Sequence, residues 1–313
     1  MKRVKTILIL LFAASTFLGA QPKIVNHPVK LIDSEAEYFM RPEWSPNGEM
    51  IAFTAEKNNG LWISNEEGKH IEQLTSDENA GFGFSWSADS KTILARPVEI
   101  ENDTRYNVIK LYDIETKQET EIIGKSRSLR RLPVWSDNDS RVAVLIDNNL
   151  EIINSGKPQL KSANGKITKA LVFGGELTSS TEAAEKPVSF KKFEGRYIFN
   201  SETSPDGKKI VFQVSGLGLY VSNIDGTDLK HLEYAEQASW MPDNKFIIAT
   251  NVKDDGMVIT AGELSAINVE SGASFPLMIN ETIIALNPSV SPDGKKILFD
   301  NPTDGAIYMM EIK

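Results

Sequence analysis

The chain has 313 residues, 41% of them hydrophobic and 25% charged, with a formal net charge of −9 and no cysteine. That composition supports a large core without staples; the missing cysteine excludes disulfides, thiolate chemistry and a lipid anchor attached through that residue. An acidic chain without basic runs is not a nucleic-acid binder, and it is repelled by anionic membrane surfaces.

Taken in chain order, the first feature is a leader. Lys2, Arg3 and Lys5 precede an unbroken apolar run over residues 7–14, and small residues follow, ending Leu18-Gly19-Ala20. This order predicts a secretory signal peptide over 1–20, cleaved after Ala20. The apolar stretch is shorter than the roughly 20 residues a bilayer span needs, so no membrane insertion is expected after cleavage. Removing three cations and no acid takes the net charge from −9 to −12. The mature domain, 21–313, is expected to be periplasmic or secreted, and its lack of disulfides suits a bacterial envelope.

A spare strand follows, Val29-Lys30-Leu31-Ile32-Asp33, and then one phrase recurs six times. The copies are WSPNGEMIAF (44–53), WSADSKTILA (86–95), WSDNDSRVAV (135–144), TSPDGKKIVF (203–212), WMPDNKFIIA (240–249) and VSPDGKKILF (290–299). Pro46, Pro205, Pro242 and Pro292 preset φ for a turn; Asn47, Asp206, Asp243 and Asp293 bond their own backbone; Gly48, Gly207 and Gly294 accept positive φ. A β-rich run comes next, so the phrase predicts strand, tight turn, strand. Third strands are expected over 61–64, 110–114, 219–224 and 264–269, and fourth strands over 70–75 and 229–233. Four antiparallel strands repeated at this spacing make a propeller blade rather than a two-sheet sandwich. Blades are expected to start near 40, 83, 132, 199, 237 and 287.

The phrase resembles the repeat of the TolB-like, WD-repeat-like propeller family, which reads roughly W-S-P-D-G-x-x-I-A-F. The resemblance covers nearly all of the mature chain and implies an all-β, six-bladed β-propeller that binds protein. The family's TolB grips a peptidoglycan-associated lipoprotein through its propeller; its further N-terminal α/β domain has no room here, so a full Tol–Pal role is not implied.

The sixth repeat runs out after two strands beyond its turn, leaving a sheet edge of the kind that invites aggregation. Leu31 stands 13 residues before Trp44, much as Leu74 stands 12 before Trp86. Residues of about 24–33 are therefore expected to supply the last blade's outermost strand and close the ring. Between Trp135 and Thr203 lie some twenty-five residues more than a blade needs. The surplus, within 157–198, predicts a long loop or small hairpin rather than a seventh blade.

No recognisable catalytic apparatus is present. There is no histidine–cysteine cluster, HExxH or Gly-x-Ser-x-Gly, and Gly81-Phe82-Gly83 and Gly216-Leu217-Gly218 lack the helix that a phosphate loop requires. His27, His70 and His231 are expected on the periphery of different blades, which argues against a shared metal site. The acidic groups Asp137-Asn138-Asp139, Asp254-Asp255 and Asp300 with Asp304 are read as turn residues or solvated loop carboxylates; the ligand spacing of a calcium loop is missing. No cofactor is expected.

One asymmetry remains. Arg41, Arg127, Arg130, Arg131 and Arg196 fall just before a blade's first strand, where the chain passes from one blade's outer strand to the next blade's inner one. Phe39, Met40, Phe82 and Tyr197 lie in the same segments. Arginines and aromatics are the residue types of binding hot spots, and arginine grips carboxylates bidentately. Arg41, Phe82, Arg130, Arg131, Arg196 and Tyr197 are accordingly the candidate binding residues. The partner expected is another envelope protein, or an acidic peptide or ligand, met by a monomer. The alternative is a carbohydrate-active or peptide-active enzyme, lyase or hydrolase, with an axial site.

Overall fold

The computed structural model describes residues 21–129, 131–136, 138–147, 149–158, 170–173, 176–179, 188–278 and 282–313. The fold is an all-β, six-bladed propeller. Blade one is built of Phe39–Trp44, Met50–Ala55, Leu61–Asn65 and Glu72–Thr75, in that order from the inside outwards. Blade two runs Ser85–Trp86, Thr92–Ala95, Thr104–Asp113, Glu119–Ser126, and an extra strand, Val98–Glu101, pairs with the long third one. Blades four and five repeat the four-stranded plan over 198–233 and 236–278.

Blade three departs from that plan. Among the described residues it has three strands, Val134–Ser136, Arg141–Ile146 and Asn149–Asn154. The long interval after it holds a further antiparallel sheet of Ala170–Phe173, Glu176–Ser179 and Val188–Ser189. Its first strand packs beside Ile198–Thr203, the inner strand of blade four.

Blade six contains Leu286–Val290, Lys296–Asn301 and Ala306–Glu311, and its outermost strand is Val29–Ile32. Val29 pairs with Met309 and Lys30 with Tyr308, and the bridge Ile24–Ile312 extends the contact. The N-terminal strand thus closes the ring, as the spacing of Leu31 and Trp44 anticipates.

The core lies between blades. Ile51 and Phe53 of blade one pack with Leu298 and Ile307 of blade six, whereas Ala52 packs with Trp86, Ile93 and Tyr112 of blade two. Successive strand residues point to opposite faces, and both faces are covered. A sandwiched strand therefore reads as an unbroken apolar run rather than an alternating one.

The repeated turn has its own chemistry. Ser45, Ser87, Ser204 and Ser291 each donate their hydroxyl to the Asn or Asp two residues on, at 2.6–2.7 Å. Each same oxygen accepts the amide five residues on, opening the second strand, at 2.9–3.0 Å. In blade five, where Met241 replaces the serine, Asp243 reaches the Phe246 amide directly. Where glycine is absent from the turn, Ser90 and Asn244 adopt positive φ and accept a main-chain amide from the preceding blade's turn, at Asn47 and Asp206.

Candidate binding face

In an antiparallel blade, the passage into the first strand and the link between second and third strands lie at the same end. Main-chain hydrogen bonds join the two sets of segments: Gly81 to Asn58, Val98 to Glu78, Ser215 to Tyr197 and Phe39 to Gly305. Among the described residues, the exposed large apolar side chains gather at this end, including Tyr38, Phe82, Ile100, Tyr197, Tyr234 and Met257. The exceptions, Val25, Val29 and Ile71, lie along outer edges.

The inner strands carry a bulge near this end. Arg41, Asn200, Gln237 and Asn287 each stand three residues before the repeat's first position, with φ between 47° and 54° and a register shift beside them. Gly83 is their equivalent in blade two, at φ 68°. The left-handed region favours Gly and Asn, so the bulge explains three of these five residue types. A second ring lies one strand outwards. Thr54, Arg96, Gln213, Thr250 and Asp300 occupy the position just after the β-rich run, and all are buried although polar.

The two rings are bonded to each other. The Arg41 amide donates to Asp300 Oδ1 at 2.9 Å, and Asn287 Nδ2 donates to the same oxygen at 2.8 Å. The Asn287 amide donates to Gln237 Oε1, and Asn200 Nδ2 to Gln213 Oε1. Asp300 is 3% exposed, which corrects its reading as a solvated loop carboxylate. Burial pushes its carboxyl up to about 6, against the opposing pull of the Arg41 amide, Asn287 and the Arg41 charge.

The arginines expected at this end meet different fates. Arg41 lays its guanidinium over the Phe82 ring at 5.9 Å, a cation–π pair that joins blades one and two. Arg131 is half-buried; burial first, and then the charges of Arg105 and Arg131, depress the affinity of Arg96 for its proton. Arg196 Nη1 donates to Ser215 O at 2.9 Å, and Tyr197 beside it is 72% exposed over blade four. Arg130 lies outside the described residues. Phe39 leaves the candidate surface: its ring is buried against Phe53 and Trp62.

Arg96 and Arg105 were not among the residues singled out in the sequence, because they follow a second strand rather than precede a first. They stand at the same end, and with Asn58, Asn79, Phe82 and Asn107 they line an open cavity of about 470 Å³. The sequence signal that points to Arg96 is the polar residue closing an apolar run, repeated in Thr54, Gln213, Thr250 and Asp300.

The histidines sit at the periphery. His70 precedes Glu72–Thr75, His27 precedes Val29–Ile32, and His231 lies in Lys230–Glu233, with Nε2 2.8 Å from Leu217 O. Among the described residues no group of three or more His, Asp or Glu is placed to hold a metal ion.

Sheet order, ring closure and solved structures agree. The fold is a six-bladed β-propeller, similar to that of TolB. TolB from Acinetobacter baumannii superposes with a TM-score of 0.50 at 16% identity, over 88% of this chain and 63% of that one. Oligogalacturonate lyase from Vibrio parahaemolyticus gives 0.60 at 14% identity, over 93% of this chain and 98% of that one. A chain of a mitotic checkpoint complex gives 0.61 at 12% identity, over 92% and 94%. Such distant likenesses, to proteins of unrelated roles, show the fold alone. The family model described as the dipeptidyl peptidase IV (DPP IV) N-terminal region matches residues 20–88 of this chain. No curated protein matches it.

Proposed function

We propose that the protein is an exported, non-catalytic binding module of the bacterial cell envelope. It takes a carboxylate-bearing partner, an envelope protein or an acidic peptide, on the end of the ring where inner strands begin. The observation that carries this reading is the gathering of exposed apolar side chains at that one end, together with Arg41 stacked on Phe82. Exposed apolar side chains with arginine among them have the composition of a recognition surface. On a chain of strongly negative net charge, a local basic rim focuses an acidic partner against a repulsive background.

The test is retrieval of a partner from envelope extract, then comparison of Arg41→Glu with Arg131→Glu against Lys117→Glu. Lys117 lies in the turn between third and fourth strands, at the opposite end of the blade, and pairs with Glu72. Lys57 is unsuitable as a control, because Glu56–Asn58 links second and third strands on the candidate face itself. The paired substitution is expected to weaken binding at least tenfold, and raised salt to weaken it further. Equal binding by both variants rejects this face. Turnover of a polysaccharide or peptide, abolished by an axial substitution, would replace the binding reading with the enzymatic one.

A further inference from the structure

Arg96 is a cation that the protein buries without a counter-ion among the described residues. It is 8% exposed, and among the described residues its one hydrogen bond runs from Nη1 to Leu129 O at 2.9 Å. Nε is buried and unpartnered. A guanidinium has five N–H donors, so a single carbonyl leaves most of its capacity unused. The nearby charges that act on it are Arg105 and Arg131, both of its own sign. Burying an uncompensated charge is unfavourable, and two like charges make it more so.

The same cavity holds the complementary defect. Asn58 lines it, and its Oδ1 is buried without a donor. Asn79 and Asn107 complete a polar lining, and Phe82, carrying Arg41 over its ring, forms the apolar wall. Arg105 lines the cavity with a side chain 59% exposed, and its one ion pair among the described residues is a 3.5 Å contact to Glu78. A pair so exposed and long is worth little and competes weakly with a ligand.

We infer that this cavity between blades one and two is a subsite for an acidic peptide segment: Arg96 and Arg105 grip an Asp or Glu carboxylate, and Asn58 Oδ1 accepts a neighbouring main-chain N–H of the same segment. A carboxylate supplies the counter-charge and acceptors that Arg96 lacks, in the fork geometry a guanidinium favours. The adjacent N–H supplies the one donor that Asn58 lacks, so one ligand satisfies both groups. The inference rests on the reading of this end as the binding face.

The experiment titrates the full mature chain with N-acetyl-aspartate N-methylamide, its asparagine counterpart and inorganic phosphate, followed by NMR. The aspartate probe is expected to bind saturably and the asparagine probe at least tenfold more weakly. Arg96→Met should lose at least tenfold for the aspartate probe, and Asn58→Gly, which keeps the left-handed backbone, severalfold for the aspartate probe but not for phosphate. Should Arg96→Met fail to fold, Arg105→Met at its exposed position carries the arginine arm, with a severalfold loss expected. No saturable shift with the aspartate probe overturns the proposal. So does phosphate binding as well as the probe with Asn58→Gly altering neither, since the cavity then takes anions without recognising a peptide. The probes require no envelope partner, so the subsite and the partner-binding reading fail separately.

Discussion

Trp135 Nε1 donates to the main-chain carbonyl of Ser85 at 3.2 Å, across the gap from blade three to blade two. Ser85 stands immediately before Trp86, and the relation recurs around the ring: Trp86 donates to Glu43 O and Trp240 to Glu202 O. In blades two, three and five the first residue of the phrase is thus a bolt into the preceding blade. Trp44 has the same place, but its Nε1 is buried without a partner among the described residues. Trp135→Phe is expected to destabilise by about 1–3 kcal/mol through a lost hydrogen bond and a cavity. Trp44→Phe should cost about 1 kcal/mol less, since it removes no bond. Urea unfolding of the two variants measures the difference.

Asp300 makes stability depend on pH. Its folded carboxyl holds a proton up to about 6, against about 4 in the unfolded chain. The folded state therefore binds the proton more tightly. The contribution is fully present below pH 4 and is lost as pH rises through 6. Asp300→Asn keeps an acceptor for the Arg41 amide and cannot titrate. The stability of the parent relative to this variant should fall between pH 4 and 7, by at most about 3 kcal/mol. Parallel denaturation at the two pH values reads the change; a constant difference contradicts it.

Deleting residues 21–33 should open the ring. The deletion removes Ile32, which is 1% exposed, and uncovers the edge of Ala306–Glu311. An unpaired edge strand is a template for association. The truncated chain is expected to melt on the order of 10 °C lower and to scatter light on warming. Melting as high as the parent would disprove the closure argument.

Ser204→Ala tests the turn. The hydroxyl donates to Asp206 and accepts from the Lys209 amide, and it is buried. Its loss leaves that amide without its side-chain acceptor, at an expected cost of about 1–2 kcal/mol. Met241→Ser, in the blade whose turn Asp243 already bonds without a serine, should bring little gain. Thermal melts of both variants give the comparison.

The repeat itself was legible along the chain, and with it the fold. Six copies of one turn phrase, built from Pro, Asp, Asn and Gly where backbone geometry favours them, exclude most arrangements other than a ring of blades. Ring closure was legible as well, because the interval from Leu31 to Trp44 repeats that from Leu74 to Trp86. These are local, periodic facts, written into residue order. The arginines before the first strands could also be seen, and Arg41 does meet Phe82. What the order of residues could not show is which polar groups end up buried beside one another. Asp300 looked like a loop acid, yet the bulge at Arg41 brings a main-chain amide onto it from 259 residues away. Arg96 was not singled out in residue order, yet the ring brings it near Arg105 and Arg131 and, among the described residues, gives it no carboxylate. Propensity and turn chemistry act between neighbours in sequence and determine the blade. Burial and charge pairing act between neighbours in space, and only the closed ring decides which residues those are.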